Sequence, residues 1–332
     1  MKSIRVVTDL DECSRIWRQL IPQEQLSDLW EVRLCFQRHY GHQPYFIIGE
    51  DRGGIDGFLP LSRNEETDSY LYFPGETWQS KTWLEQNRLI ARNQATMVDL
   101  LNLVPGNFYL RYLHSNQWTD SSNLVVDEIG YFFLPPAYDY NIDRYFEEFS
   151  GKSAKRLRRE MEAFEARGIE FEYNNMTDFE TMVTMNLQRY GSFSYFHDVR
   201  FLNSFRSLFN FLAEKNWLRI TSVKVGGQVA AVDMGSVFNN TYTLLAGGTN
   251  AEFPGIAKLI NLHHMRWACD NKVERVDFLC GDFNWKTQFH LAPRPLFKLM
   301  GQGKASVRRE IPLMRQWDLP RSGMSAGSRN IV

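Results

Sequence analysis

The chain has little cysteine, almost no net charge and no long apolar run. Its four cysteines in 332 residues (Cys13, Cys35, Cys269, Cys280) show no paired spacing, which argues against a disulfide framework or a zinc site. No metal is expected, and a reducing compartment fits this usage best. With 23% of residues charged and a formal net charge of -1, a generally basic nucleic-acid binder is excluded, and no DNA partner is expected. No stretch approaches the roughly 18 consecutive apolar residues of a membrane span. The opening residues, Met1-Lys2-Ser3-Ile4-Arg5, lack the apolar run of a secretory signal. These absences predict a soluble, cytoplasmic protein.

What is present suits two ordinary domains: 43% of residues are hydrophobic and 14% aromatic, enough for a core in each half. In the first half the pattern predicts helices at 10–20 and 23–38 and strands at 44–49, 55–62 and 70–73. A helix over 80–103 and strands at 107–113 and 131–134 follow. Asp51-Arg52-Gly53-Gly54 reads as a hairpin turn, and Pro135-Pro136 stops the sheet. The second half predicts a helix at 153–166, a strand at 169–173, and helices at 177–190 and 199–215. Strands at 218–225, 228–238 and 241–246, a helix at 256–271, and strands at 276–279 and 295–300 complete it. The Gly/Ser-rich end, 320–332, reads as disordered.

The halves repeat. A constant shift lays Gly53-Gly54 on Gly226-Gly227, Gly57 on Ala230, Tyr70 on Thr243 and Gly75 on Gly248. Each half therefore reads as two helices, a strand, a Gly-Gly turn, two strands and a glycine. The expected fold class is α/β (α+β). It comprises two tandem units, 1–140 and 141–319, each a mixed, mostly antiparallel sheet flanked by helices. This order differs from the alternating β and α of a dinucleotide-binding fold.

The most informative stretch runs from 247 to 289. A strand ending in Gly247-Gly248 enters a loop that closes on Phe253-Pro254-Gly255 at a helix start. Unpaired N–H groups at such a start suit a phosphate or carboxylate. The next strand ends at Gly281-Asp282-Phe283-Asn284-Trp285-Lys286, at the same end of the same sheet.

This layout resembles the GNAT acyltransferase fold. The duplication, the Lys155-Arg156-Leu157-Arg158-Arg159 helix, the Phe253-Pro254-Gly255 loop and the 281–286 motif resemble its tandem branch, which includes FemAB-like and CelD-like proteins. The resemblance is strongest over 143–299. It implies transfer of an acyl group from a thioester to an amine or hydroxyl, within polysaccharide or cell-surface biosynthesis. The implied co-substrate is acyl-CoA or another acyl thioester. Its arm would lie along 244–248, against Gly247 and Gly248, with its pyrophosphate on Phe253, Pro254, Gly255, Ile256 and Ala257. Glu252 stands where the family pattern carries Gln or Arg, and a carboxylate there repels a pyrophosphate. An acyl carrier protein or an aminoacyl-tRNA would reach the same tunnel differently. The tRNA-dependent Fem type is one alternative, and a non-catalytic subunit of a surface-polysaccharide assembly is another.

Three residues are candidate catalytic groups. Asp233 lies in an otherwise apolar strand, 229–235, where a buried carboxylate must be paired or protonated. It reads either as a general base or as a salt bridge to an arginine. Asp282 reads as a base or as a turn residue, and Lys286 as an anion or oxyanion contact. Tyr195, Tyr242, Trp285, His290 and Arg156 are candidate contacts to a small-molecule, saccharide or amino-acid acceptor. The stripe Ile256, Leu259, Ile260, His263 and Trp267 predicts that His263 faces the core. Arg156 and its basic neighbours read either as a phosphate grip or as a solvated face, since Glu160, Glu162 and Glu165 can pair along the helix.

Overall fold

Alternating apolar residues between glycine turns set the strands of both halves, and apolar stripes at helical spacing set the helices. The computed structural model describes residues 3–75, 83–114, 124–281 and 283–303. The first half runs β1 (Ser3–Val7), α1 (Leu10–Leu20), α2 (Trp30–Tyr40), β2 (Gln43–Asp51), β3 (Gly54–Asn64) and β4 (Ser69–Tyr72). It continues with β5 (Ile90–Ala91), α3 (Gln94–Asn102), β6 (Asn107–Leu113) and β7 (Leu124–Phe133). Helices α4 (Ile142–Phe146) and α5 (Gly151–Glu165) lead to the second half. There follow β8 (Ile169–Tyr173), α6 (Asp178–Tyr190), α7 (Val199–Glu214), β9 (Leu218–Val225), β10 (Gln228–Phe238) and β11 (Thr241–Thr249). The chain then forms α8 (Ile256–Asp270), β12 (Arg275–Cys280), α9 (Asn284–Gln288) and β13 (Ala292–Gln302).

The strands form one sheet in the order β1-β2-β3-β4-β6-β13-β7-β12-β11-β10-β9-β8, with β5 against β3. From either edge inward the two halves present corresponding strands. At the centre they exchange their last strands: β7 pairs with β12 and β13 with β6, while β7 and β13 pair with each other. Neither half closes its sheet with its own final strand. The pairing is antiparallel except at β4·β6 and β11·β12.

The β11·β12 pair positions the site. The two strands are paired only at Thr241↔Arg275, Tyr242↔Val276 and Thr243↔Asp277, and then diverge. One face of β10 and β11 packs on α6, α7 and α2 through Met182, Phe205, Leu208, Val232, Met234 and Leu245. The opposite face of this half packs on α8 and α4 through Tyr145, Tyr242, Met265 and Phe278. Helix α6 crosses β11 so closely that a Cβ on Gly248 would stand 2.6 Å from the Met182 carbonyl and 2.8 Å from the Met185 Cβ. Gly248→Ala should therefore destabilise the protein by about 1–3 kcal/mol, because the obstacle includes backbone. Chemical denaturation checks this, and an unchanged midpoint would contradict the packing.

Two expectations change. Of the helix predicted over 80–103, only Gln94–Asn102 is helical among the described residues; β5 stands just before it, and Asn87 is bridged to Leu113. Asn93 caps the true start by accepting the Thr96 N–H. The second predicted helix begins at Trp30, after a short 3-10 turn at Leu26–Asp28. Among the described residues, no helix is long and apolar enough to cross a membrane. The tail at 320–332 lies outside the described residues.

Candidate active site

Where β12 leaves β11, the chain turns sharply, with Leu279 at φ 55° and Gly281 at φ 110°. The Leu279 N–H donates to Asp277 Oδ1 at 2.9 Å. Behind the turn, Lys286 Nζ donates to the carbonyls of Phe278, Leu279 and Cys280 at 2.9, 2.9 and 3.0 Å. Lys286 is 2% exposed, and burial pushes its pKa down, opposed by the nearby Glu85, Cys280 and Asp277. Its three donors match three carbonyls, so the ammonium holds the turn in shape.

The Cys280 N–H donates to Glu85, at 2.9 and 3.0 Å from the two carboxylate oxygens. Glu85 comes from the other half of the chain. Its segment is anchored there by Asn87, whose N–H donates to the Tyr112 carbonyl and whose Nδ2 donates to the Arg111 carbonyl, both at 2.8 Å. The guanidinium of Arg33 holds the Asn87 Oδ1 at 2.7 Å. From that anchor, three side chains reach the diverging strands. Trp83 Nε1 donates to the Leu245 carbonyl at 3.3 Å, Gln86 Nε2 donates to Asp277 Oδ2 at 2.7 Å, and Glu85 takes the end of β12. Burial, with the Asp277 carboxylate beside it, raises the Glu85 pKa from 4.5 to about 7. A carboxylate that titrates near neutrality at the end of a diverging strand pair can accept a proton during a reaction.

A cavity of about 560 Å³ opens beside this point, between the halves. Glu85, Gln86 and Trp83 line one end with Leu245 and Leu279. Glu24, Gln25, Asn239, Thr241 and Glu274 line the other. Along β12, Asp277 pairs with Thr243 between them, whereas Arg275 pairs with Thr241 at the second end, and its guanidinium rests on the Phe132 ring at 4.7 Å. The oxygens Gln25 Oε1, Ser27 Oγ and Gln86 Oε1 are buried without a hydrogen-bond partner.

The helix-start loop lies beyond β11. Gly255 sits at φ +92°, which favours glycine, and forms the N-cap of α8. The Ile256 N–H is taken by the Phe253 carbonyl at 3.1 Å, whereas the Ala257 N–H has no partner among the described residues. Pro254 and Ala257 are exposed, but Phe253 and Ile256 are buried with Phe164 and Val223 in a small core. Only the backbone of this loop is available to an anion. Gly247 lies under Asp233, whose Oδ1 would stand 2.2 Å from a Cβ there, and its carbonyl accepts from Asn186 Nδ2 at 2.8 Å.

The remaining expected residues disperse. Asp233 is 5% exposed and pairs with His264 Nε2 at 3.0 Å, on the α8 face, away from the cavity. Its partner is thus a histidine rather than an arginine. His264, not His263, is the buried histidine of α8. This helix buries a broad arc from Ile256 through Asn261 and His264 to Cys269, and a single stripe understates it. His263 stacks on Phe171, at 3.9 Å between centroids, nearer the rim. Tyr242 is fully buried with its hydroxyl 3.4 Å from His264 Nε2, so it lines no open surface. Trp285 packs edge-on to Phe278 and Phe289. His290 meets the edge of Phe149, Tyr195 packs on Phe201, and Arg156 is a solvated side chain 4.0 Å from Glu160. Asp282 lies outside the described residues. Among the described residues, no three His, Cys, Asp or Glu side chains come together to hold a metal ion.

Sequence reasoning missed Glu85, Gln86, Trp83 and Asp277. Asp277 was legible as an acidic residue inside a predicted strand. The Trp83–Asn87 segment has no periodicity to show where it goes.

The architecture has relatives. Residues 151–287 match the family model described as an acetyltransferase (GNAT) domain. No curated protein matches the chain in sequence. Among solved structures it is similar to FemX, with a TM-score of 0.55 and 11% identity over 89% of this chain and 96% of that one. It is also similar to a tandem GNAT protein from the clavulanic acid biosynthesis pathway, at 0.52 and 11% over 93% and 100%. The L-PGS of Bacillus licheniformis matches at 0.52 and 10% over 92% and 94%. At these identities the likeness is one of fold. With an acetyltransferase (GNAT) domain matched in the second half and the doubled architecture running over nearly its full length, this chain has the tandem GNAT fold.

Proposed function

We propose that the protein transfers an acyl group from a thioester donor to an amine, with Glu85 as the general base. The GNAT domain supports an acyltransferase, and the choice of acceptor and base rests on the site. The observation that carries the reading is the Glu85–Cys280 contact. It sets a carboxylate that titrates near 7 from one half at the strand divergence of the other, on the wall of the cavity.

In this reading the donor's acyl arm lies between β11 and β12, and its phosphates lie toward the Ala257 N–H at the start of α8. The acceptor occupies the cavity. The amine nitrogen attacks the thioester carbonyl carbon, the C–S bond breaks and the thiolate leaves. The amine proton passes to Glu85 and from there to the thiolate or solvent. Binding both reactants between two rigidly joined halves supplies the orientation such a reaction needs. The units 1–140 and 141–319 are proposed as a support half and a donor half. Lys286 serves as a positioning residue that shapes the turn carrying the Cys280 N–H.

A donor panel tests this. The full chain is incubated with acyl-CoA and acyl-carrier-protein thioesters and a set of amines and alcohols, and products are read by mass. Acylated amine in excess of the uncatalysed control is expected. Donor hydrolysis alone, or no complex with either donor class, would overturn the proposal and favour a non-catalytic subunit.

A second reading, with an aminoacyl-tRNA as donor, is favoured by one observation. Lys152, Lys155, Arg156, Arg158 and Arg159 are exposed on the first turns of α5. The same face would suit an acidic carrier protein. Steep salt dependence of tRNA binding would move the assignment to tRNA, and indifference to tRNA would remove it.

A further inference from the structure

The cavity carries acidic groups at both ends, and its lining includes apolar side chains. Along β11, Thr241 lies at the end shared with Asn239 and Glu274, and Leu245 lies at the end shared with Trp83 and Glu85. Four residues of strand separate these ends by about 13 Å, at about 3.3 Å per residue. Glu85 closes the inner end. Glu274 stands at the outer end, where its N–H donates to the Asn240 carbonyl. Neither carboxylate has an ion-pair partner among the described residues. The other two carboxylates of the lining are partly neutralised: Glu24 by Arg88 at 2.9 Å, and Asp277 by Arg294 at 3.8 Å. Arg275, the only cation lining the cavity among the described residues, pairs with Thr241 at the outer end, and its guanidinium is drawn onto the Phe132 ring.

Against one buried donor without a partner in the lining, Arg275 Nε, stand two amide acceptors. Gln86 is 5% exposed, with its amide nitrogen committed to Asp277 and its Oε1 buried and unbonded. Gln25 Oε1 is likewise unbonded. A buried acceptor without a donor is costly, and a ligand rich in N–H groups satisfies it. The apolar lining includes Leu26, Val32 and Phe238, which suit a methylene chain.

We infer that the ligand of this cavity is an elongated diamine, with one nitrogen at Glu85 and a second, charged nitrogen at Glu274. This rests on the acyl-transfer reading only in naming the inner nitrogen as the acyl acceptor. The outer ammonium stays protonated and is held by a charge-assisted contact, while the inner amine gives its proton to Glu85 as it reacts.

The experiment is calorimetric binding to the full chain with a homologous series of straight-chain α,ω-diamines. Monoamines and amino alcohols of matched length serve as controls. Near-physiological salt suppresses loose ion pairing, and a pH above the Glu85 titration is used. A diamine of suitable length should bind roughly ten- to a hundred-fold more tightly than its monoamine, the worth of one well-placed charged contact. Glu274→Gln should bring the diamine down to the monoamine's level, and the exposed site of that residue leaves the fold intact. Equal affinity for diamine and monoamine, or a preference that survives Glu274→Gln, would overturn the inference. The acyl-transfer assay separates the two ideas. Transfer to monoamines and diamines with equal kcat/KM would overturn the diamine while leaving the acyltransferase standing. Selective diamine binding without transfer from any thioester would support the cavity's ligand and remove the acyltransferase.

Discussion

Glu85→Gln is expected to lower kcat for acyl transfer by roughly a hundred- to ten-thousand-fold, the usual range for a lost general base. The amide keeps an acceptor for the Cys280 N–H, so the turn at the end of β12 should survive and donor KM should change little. The wild type should show kcat falling about tenfold per pH unit below about 7, where Glu85 becomes protonated. A primary amine, by contrast, titrates near 10. The variant should lose the break near 7 and keep any break set by the amine itself.

The same substitution has a consequence for stability of opposite sign. The folded protein holds the Glu85 proton up to about pH 7, whereas an ordinary glutamate releases it near 4.5. The folded state therefore binds the extra proton. Its advantage is full below about 4.5 and is lost as pH rises through 7. The difference corresponds to roughly 3 kcal/mol. Above pH 7, Glu85→Gln should be more stable than the wild type by up to that amount, and at pH 4 the two should be alike. A variant that is inactive and also less stable at pH 8 would show that Glu85 is structural rather than catalytic.

Lys286→Met is expected to lower stability by about 3 kcal/mol, because three buried carbonyls lose their donor at about 1 kcal/mol each. For a chain of this size that is a fall in Tm of roughly 4–5 °C. Activity should fall with it, through a loosened Cys280 N–H. If Lys286 instead gripped the donor's phosphates, donor KM would rise with Tm unchanged. That outcome would restore the role its sequence motif suggested and contradict its burial.

Much of the second half was legible. Strands at 169–173, 218–225 and 228–238 form over the residues read from alternation, because Gly226-Gly227 fixes one hairpin and Gly168 ends the preceding helix. The duplication was visible through the glycines that the turns require. The exchange of β7 and β13 was not, since it joins residues far apart in sequence and leaves no local periodicity. The site followed the same division. The loop and motif at 247–289 mark the diverging strands, but the side chains that meet there come from Trp83–Asn87. Those residues were read as helix, while their side chains satisfy backbone groups of the other half. Asp233 stood out correctly as a buried carboxylate, and His264, one position from the histidine chosen, is what neutralises its isolation.

The most direct test of the composite site is a structure of the full chain with a non-reactive acyl thioester analogue. The thioester carbonyl is expected between β11 and β12, near the Cys280 N–H and within reach of Glu85, with the donor's phosphates at Ala257. A donor bound instead where β4 and β6 diverge in the first half, or outside both strand pairs, would contradict it.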